Sequence, residues 1–214
     1  MSTSTRFPAA LFLLFTLAIC GGLPPAARAE EAGAARVAKD LSDALVTAMK
    51  RGPSLDFAAR RDLLAPEIQR DLDLPFMTRI VVGPPWRSLA AGDREKLVEA
   101  FSTYSIATYA QRFKSYSGER FEVDPTPSAL ASGDCIVHTK LFTSDPQPVQ
   151  LDYLMRKSGD HWRIIDVYLS GSISEMAARR SEYTAVLRSG GAPALIALLR
   201  KKSTDFESPR PGSS

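Results

Sequence analysis

Thiols and imidazoles are scarce in this chain: its 214 residues include only Cys20 and Cys135, and only His138 and His161. A disulfide framework needs several paired cysteines, so the fold must be held by an apolar core. The two histidines stand apart with no Cys or Glu at ligand spacing, which argues against a zinc site. Cys135 has no His at a catalytic spacing and reads as a buried, inert thiol. Charge of one sign is lacking as well, with 27 Lys and Arg against 24 Asp and Glu. There is no internal repeat. Only one long apolar run occurs, residues 7–23, and it falls short of the roughly 20 residues that span a bilayer.

That run has the surroundings of a secretory leader. Arg6 precedes it, Pro24-Pro25 follows, and Ala27-Arg28-Ala29 forms an A-x-A site before Glu30. Residues 1–29 are therefore expected to be removed as a signal peptide. Leu17-Ala18-Ile19-Cys20 looks like a lipobox, but Ile19 is too bulky for the position that takes Gly or Ala there. Cleavage at Glu30 removes Arg6 and Arg28, so Lys plus Arg falls from 27 to 25 against 24 acids. A near-neutral surface offers no electrostatic footprint for nucleic acid. Cleavage also leaves Cys135 alone, without an internal disulfide partner.

The remainder divides into a helical first half and a mostly β second half. Val37, Leu41, Ala44, Leu45 and Ala48 mark a helix over residues 34–51 that Gly52-Pro53 stops. Short helices are expected over 56–64 and 66–72, with Pro66 in a first turn, and another over 74–82 before Gly83-Pro84-Pro85. Asp93 reads as the cap of a long helix in which Leu97, Phe101, Tyr104, Ala107, Thr108 and Gln111 recur at spacings of three and four. Alternation then marks four strands, from Arg120, from Ile136, from Val149 and from Trp162, the last two joined by a Ser158-Gly159-Asp160 turn. Two helices follow over 173–189 and 192–202, and the tail 203–214 lacks apolar residues to bury and is expected to be disordered. The pattern predicts an α+β fold in one domain, residues 30–202, with an antiparallel sheet of about four strands and helices packed on one face around an apolar cavity.

Four stretches carry a resemblance. They are Trp162-Arg-Ile-Ile-Asp-Val-Tyr-Leu-Ser-Gly-Ser-Ile-Ser-Glu-Met-Ala-Ala-Arg-Arg-Ser-Glu-Tyr183 with the Gly190-Gly191 break and Ala192-Pro-Ala-Leu-Ile-Ala-Leu-Leu-Arg200; Asp71-Leu-Asp-Leu-Pro-Phe-Met-Thr-Arg-Ile-Val-Val-Gly83 with Trp86-Arg87; Glu95-Lys-Leu-Val-Glu-Ala-Phe101 with Tyr109; and Asp152-Tyr-Leu-Met-Arg-Lys-Ser-Gly-Asp-His-Trp162. In order and spacing the chain resembles the MlaC and toluene-tolerance family of periplasmic lipid-binding proteins. The resemblance implies a soluble carrier that holds a lipid between sheet and helices, needs no cofactor, and exchanges its cargo with inner-membrane and outer-membrane transport complexes. Where the main branch has Asn-Tyr-Arg-Ser-Gln-Phe, this chain has Ala178-Arg179-Arg180-Ser181-Glu182-Tyr183, and Ser172 replaces a Gly. The segment from Gly171 to Tyr183 is similar to the hopanoid-associated branch called HpnM, which raises a hopanoid beside a phospholipid as cargo.

A lipid cavity needs apolar and aromatic walls with few charges. Phe76, Met77, Ile80, Val81, Trp86, Phe101, Tyr104, Tyr109 and Phe113 offer them from the helices, and Val149, Leu151, Tyr153 and Met155 from the sheet. Residues at such periods are more often simple core, and the tyrosines and Met155 are the better candidates because phenols sit at a pocket mouth and Met adapts to irregular cargo. Ala107 lies on the same helical stripe. Burying acyl chains is worth roughly 0.8 kcal/mol per methylene, on the order of 20 kcal/mol for a two-chain lipid, so release requires a partner with its own apolar site. Arg79, Arg87, Arg112 and Lys114 read as a solvated face that also suits acidic surfaces or lipid headgroups. The rival class is an acid/base enzyme that uses Asp166 with His138 or Tyr168 in an apolar pocket. Against it, Asp166 beside Trp162 and Ile164 reads as a structural carboxylate paired with Arg163 or Arg156. The mature protein is expected to be a monomer. A third class, a scaffold or periplasmic binding module without cargo, is separated from a carrier by whether the purified protein holds lipid.

Overall fold

The computed structural model describes residues 25–207. Its first helix, α1 (Pro25–Arg51), turns Ala34, Ala38, Leu41, Leu45 and Ala48 into the core. Residues 1–24 of the expected leader lie outside the described residues, and residues 25–29 are helical. A single α2 (Phe57–Asp71) replaces the two short helices expected there; Asp56 caps it by accepting from Ala59 N–H at 2.7 Å. Pro66 lies inside it, and the buried Leu64 and Ile68 on either side hold the helix through the lost hydrogen bond. Buried Arg60 ties α2 to the next long helix, donating from Nε to the Ala110 carbonyl at 2.6 Å.

Asp73 caps α3 (Leu74–Val82), and Gly83, with φ of 70°, ends it at the turn that leads to Trp86. The next helix, α4 (Ala91–Arg112), is capped by Ala90 without a side-chain bond. Asp93 is thus a first-turn residue rather than the cap, its backbone N–H donating to the Ala90 carbonyl. Leu97, Phe101, Tyr104, Ala107 and Thr108 are all buried, as are Ser105 and Ile106, because α4 is packed between other helices.

The strands are β1 (Arg120–Val123), β2 (Ser128–Ala129), β3 (Cys135–Phe142), β4 (Val149–Ser158), β5 (His161–Leu169) and β6 (Ile173–Ser174). They form one antiparallel sheet of order β1-β3-β4-β5-β6, with β2 also on β3. The four expected strands are its body, and two-residue strands that alternation cannot register bring the number to six. The sheet face that carries Cys135, Val137, Tyr153 and Met155 is sealed by helices, and the opposite face presents Lys140, Gln150 and Glu122. Leu72 bridges Ile164, and Asp73 N–H donates to the Ile164 carbonyl at 2.9 Å, which pins the α2–α3 junction to the sheet.

β5 carries a bulge. Leu154 faces Asp166 while Met155 faces Ile164, so Ile165 has no residue opposite it and the strand changes phase. Trp162 and Ile164 face the helices before the bulge, and Val167 and Leu169 after it. Asp166 and Tyr168 consequently leave the helical side, contrary to the placement of Asp166 beside Trp162 and Ile164 that uninterrupted alternation predicts.

The last helix, α5 (Glu175–Glu207), kinks at Gly191, whose φ of 62° and ψ of −159° are open almost only to glycine. The two expected helices are its halves. The helix runs past the expected boundary at 202: Ser203 is buried, and Phe206 stacks on Tyr104 with ring centroids 6.2 Å apart. The expected disordered tail is corrected for residues 203–207, and 208–214 lie outside the described residues.

Candidate functional site

A cavity of about 80 Å³ separates α4 from β4 and β5. Its walls are Leu72 and Met77 beside α3, Tyr109 and Phe113 from the end of α4, and Leu151, Tyr153, Val167 and Leu169 from the sheet. Tyr109 stacks on Phe113 with centroids 5.9 Å apart, and Phe113 in turn meets Phe121 at 6.2 Å. Burial pushes the Tyr109 phenol up to about 12 and also raises Tyr153. Both stay protonated near neutrality, so neither phenol is a base there.

One end of the cavity is charged. Ser105, Thr108 and Arg112 of α4 meet Glu175, Met176 and Arg179 of α5 there. Arg179 Nη2 lies 3.6 Å and Arg112 Nη2 4.0 Å from Glu175 Oε2. The arrangement is amphipathic: an apolar slot closed by two guanidiniums and one carboxylate.

Of the residues expected to touch cargo, Met77, Tyr109, Phe113, Leu151 and Tyr153 line this cavity. Phe101 and Met155 are fully buried core residues, and Tyr104 packs under Arg179 and against Phe206. Ala107 is 1% exposed and does not reach the cavity, because the α4 stripe turns toward neighbouring helices there. Phe76 lies between Arg79 and Arg156, whose guanidiniums stand 4.8 and 4.7 Å from its ring. Ile80 and Trp86 line a separate open groove of about 640 Å³ with Arg79, Gly83, Pro84, Arg87 and Arg180. Val149 is 38% exposed at the far end of β4. Val167, Leu169, Glu175 and Arg179 were missed, and Arg112 was foreseen only as one of four scattered cations suited to lipid headgroups or acidic surfaces. The Ile164-Ile165 doublet, where the apolar phase of β5 slips by one, is the sequence signal that points to Val167 and Leu169. Nothing local announces that Arg112 and Arg179, on different helices, converge.

The groups of the enzyme reading lie elsewhere. Asp166 and Tyr168 share the open sheet face with His138 and Asp152. Asp166 makes no pair with Arg156, which grips Asp134 at 2.8 and 2.7 Å. Its carboxylate instead accepts from Val167 N–H at 2.7 Å, Met176 N–H at 3.1 Å and the Ser174 hydroxyl at 2.5 Å, anchoring the start of α5. On the same face His138 Nε2 is 3.0 Å from Ser128 Oγ, and its Nδ1 stands 3.1 Å from Asp152 Oδ1 without the alignment of a hydrogen bond, so that buried oxygen has no hydrogen-bond partner. Glu122, Asp124, Lys140 and Gln150 line a polar groove with His138 and Asp152, and Ser128 lies outside its lining. Among the described residues no group of three His, Cys, Asp or Glu is placed to hold a metal, and no helix is long and apolar enough to cross a membrane.

The family model described as MlaC protein matches residues 39–201. Among solved structures, the phospholipid-binding protein from Ralstonia solanacearum, in complex with a phospholipid, superposes with a TM-score of 0.71. It is 21% identical, and the match covers 82% of this chain and 99% of that one, a likeness of fold.

Proposed function

Since the chain belongs to the MlaC family, we propose that it is a periplasmic carrier that takes up a membrane lipid in the slot between α4 and the sheet and passes it between membrane-bound transport complexes. The observation that carries this reading is the amphipathic cavity, apolar along Met77, Tyr153 and Val167 and charged at Arg112 and Arg179. A lipid has the same division. The phospholipid held by the Ralstonia solanacearum protein supports a phospholipid as cargo. The HpnM-like segment from Gly171 to Tyr183 supports a hopanoid. Export by a leader over residues 1–29 and a monomeric state complete the reading. The groove of Arg79, Arg87, Arg180 and Trp86 has no acid among its lining residues and suits an acidic docking partner.

Mass spectrometry of lipid extracted from protein purified from its own host tests the carrier and its cargo together. About one lipid per protein is expected. A protein without lipid overturns the reading, and a phospholipid-only cargo in a hopanoid-making host removes the HpnM assignment.

A second reading rests on the Ser128–His138–Asp152 row, whose order of hydroxyl, imidazole and carboxylate is that of a hydrolase. It ranks below the carrier because Glu122 and Asp124 line the groove with His138 and Asp152, and carboxylates oppose the oxyanion that acyl transfer creates. Labelling of Ser128 by a fluorophosphonate, lost in His138→Ala, would favour it; an unlabelled protein removes it.

A further inference from the structure

Arg112 and Arg179 approach one oxygen, Glu175 Oε2, from two helices, at 4.0 and 3.6 Å. Both distances exceed hydrogen-bond range, whereas Arg156 and Asp134 meet at 2.8 and 2.7 Å. Glu175 therefore stands between two guanidiniums and saturates neither. Nor does the helix start depend on it, since Met176 N–H donates to Asp166 and Ala177 N–H to Ser174. Arg179 is held from behind by Tyr183 Oη at 3.4 Å and by the Tyr104 ring, 5.0 Å from its Cζ. Its side chain is only 13% exposed, so a cation is kept from water with one distant counter-ion. Tyr183 and Tyr104 offset the cost of burying this charge, and an anion with better geometry than Glu175 would pair it more closely.

We infer that Arg112 and Arg179 form the seat for the phosphate oxyanion of a lipid headgroup, and that the Glu175 carboxylate keeps the place of that phosphate in the empty protein. The inference rests on the carrier reading. A phosphodiester has one negative charge and two non-bridging oxygens, one for each guanidinium, and the adjoining walls of Met77 and Val167 receive the first methylenes of its chains. On entry the phosphate displaces the Glu175 carboxylate toward solvent. A neutral lipid with the same chains has no group that can do so. The seat therefore selects a phosphate-bearing lipid over its neutral counterpart by about tenfold, the worth of one charge-assisted hydrogen bond.

Equilibrium dialysis of delipidated protein against dioctanoyl phosphatidylglycerol, dioctanoylglycerol and inorganic phosphate tests the seat. Phosphatidylglycerol is expected to bind about tenfold more tightly than dioctanoylglycerol. Glu175→Gln should widen that preference, and Arg112→Gln and Arg179→Gln should abolish it. The Arg112 side chain is 56% exposed, so Arg112→Gln decides the matter even if Arg179→Gln fails to fold. Equal affinity for the two lipids, or a preference that survives Arg112→Gln, overturns the seat and leaves the carrier standing. Inorganic phosphate bound as tightly as phosphatidylglycerol also overturns it, in favour of a free-anion site. Binding of neither lipid overturns the carrier and the seat together.

Discussion

Asp166 accepts three hydrogen bonds, and the two from Ser174 and Met176 tie the end of β5 to the start of α5. Removing a helix-capping acceptor costs about 1–2 kcal/mol, so Asp166→Ala should lower the unfolding free energy by that amount and Asp166→Asn by less, each read as a lower denaturation midpoint. The larger loss of a broken buried ion pair is not expected, because Arg156 is committed to Asp134. Lipid loading should persist in both variants; an unchanged midpoint with a lost turnover would restore the enzyme reading. Asp134 itself predicts a pH dependence. The two hydrogen bonds from Arg156 hold its carboxyl below the ordinary aspartate value of 3.8. Its folded value is thus below its unfolded one, so its contribution is present above pH 3.8 and disappears as pH falls through the folded value. Asp134→Asn should flatten that limb of an acid-unfolding curve, and an identical limb in both proteins would show that the pair does not set it. At this scale the sequence was partly legible: a structural Asp166 could be foreseen from its strand, but its partners could not, because they come from a turn and a helix start that follow it.

The helices and strands carry their own consequences. Gly191 breaks α5 in a conformation that costs any other residue about 1–3 kcal/mol. Gly191→Ala should destabilise the protein by that much, and a straightened helix would draw Leu195 and Leu199 off the core, visible as a lower thermal midpoint. The Gly190-Gly191 pair made this break readable in advance. The bulge at Ile165 has a different status, because it decides which side chains form the cavity wall. Val167→Phe should fill the slot and cut lipid loading with little change in melting, whereas Ala107→Trp, at a packed helix crossing, should cost about 1–3 kcal/mol. Equal loading by Val167→Phe and the unaltered protein would place the cargo elsewhere. The helical period identified the α4 stripe but not which part of it meets other helices and which part meets the slot.

For the whole molecule the decisive quantity is volume. The cavity measures about 80 Å³, while pockets that enclose a ligand start near ~300 Å³. If the proposed slot takes the lipid, α4 and the sheet must part to admit it. Spin labels at the exposed positions Thr103 on α4 and Lys140 on β3 should separate when the protein is loaded, as read by pulsed electron resonance. An unchanged distance at full loading would put the lipid outside this slot. The sequence by itself determined what depends on neighbours along the chain: the helical and alternating periods, the Gly and Pro breaks, and an α+β order that needs an apolar core instead of disulfides. Tertiary structure alone decided the face of β5 after the bulge, the burial of Phe101 and Met155 away from the slot, and the meeting of Arg112 with Glu175 and Arg179. Those outcomes turn on which element packs against which, and a local period is blind to contacts between residues some sixty positions apart.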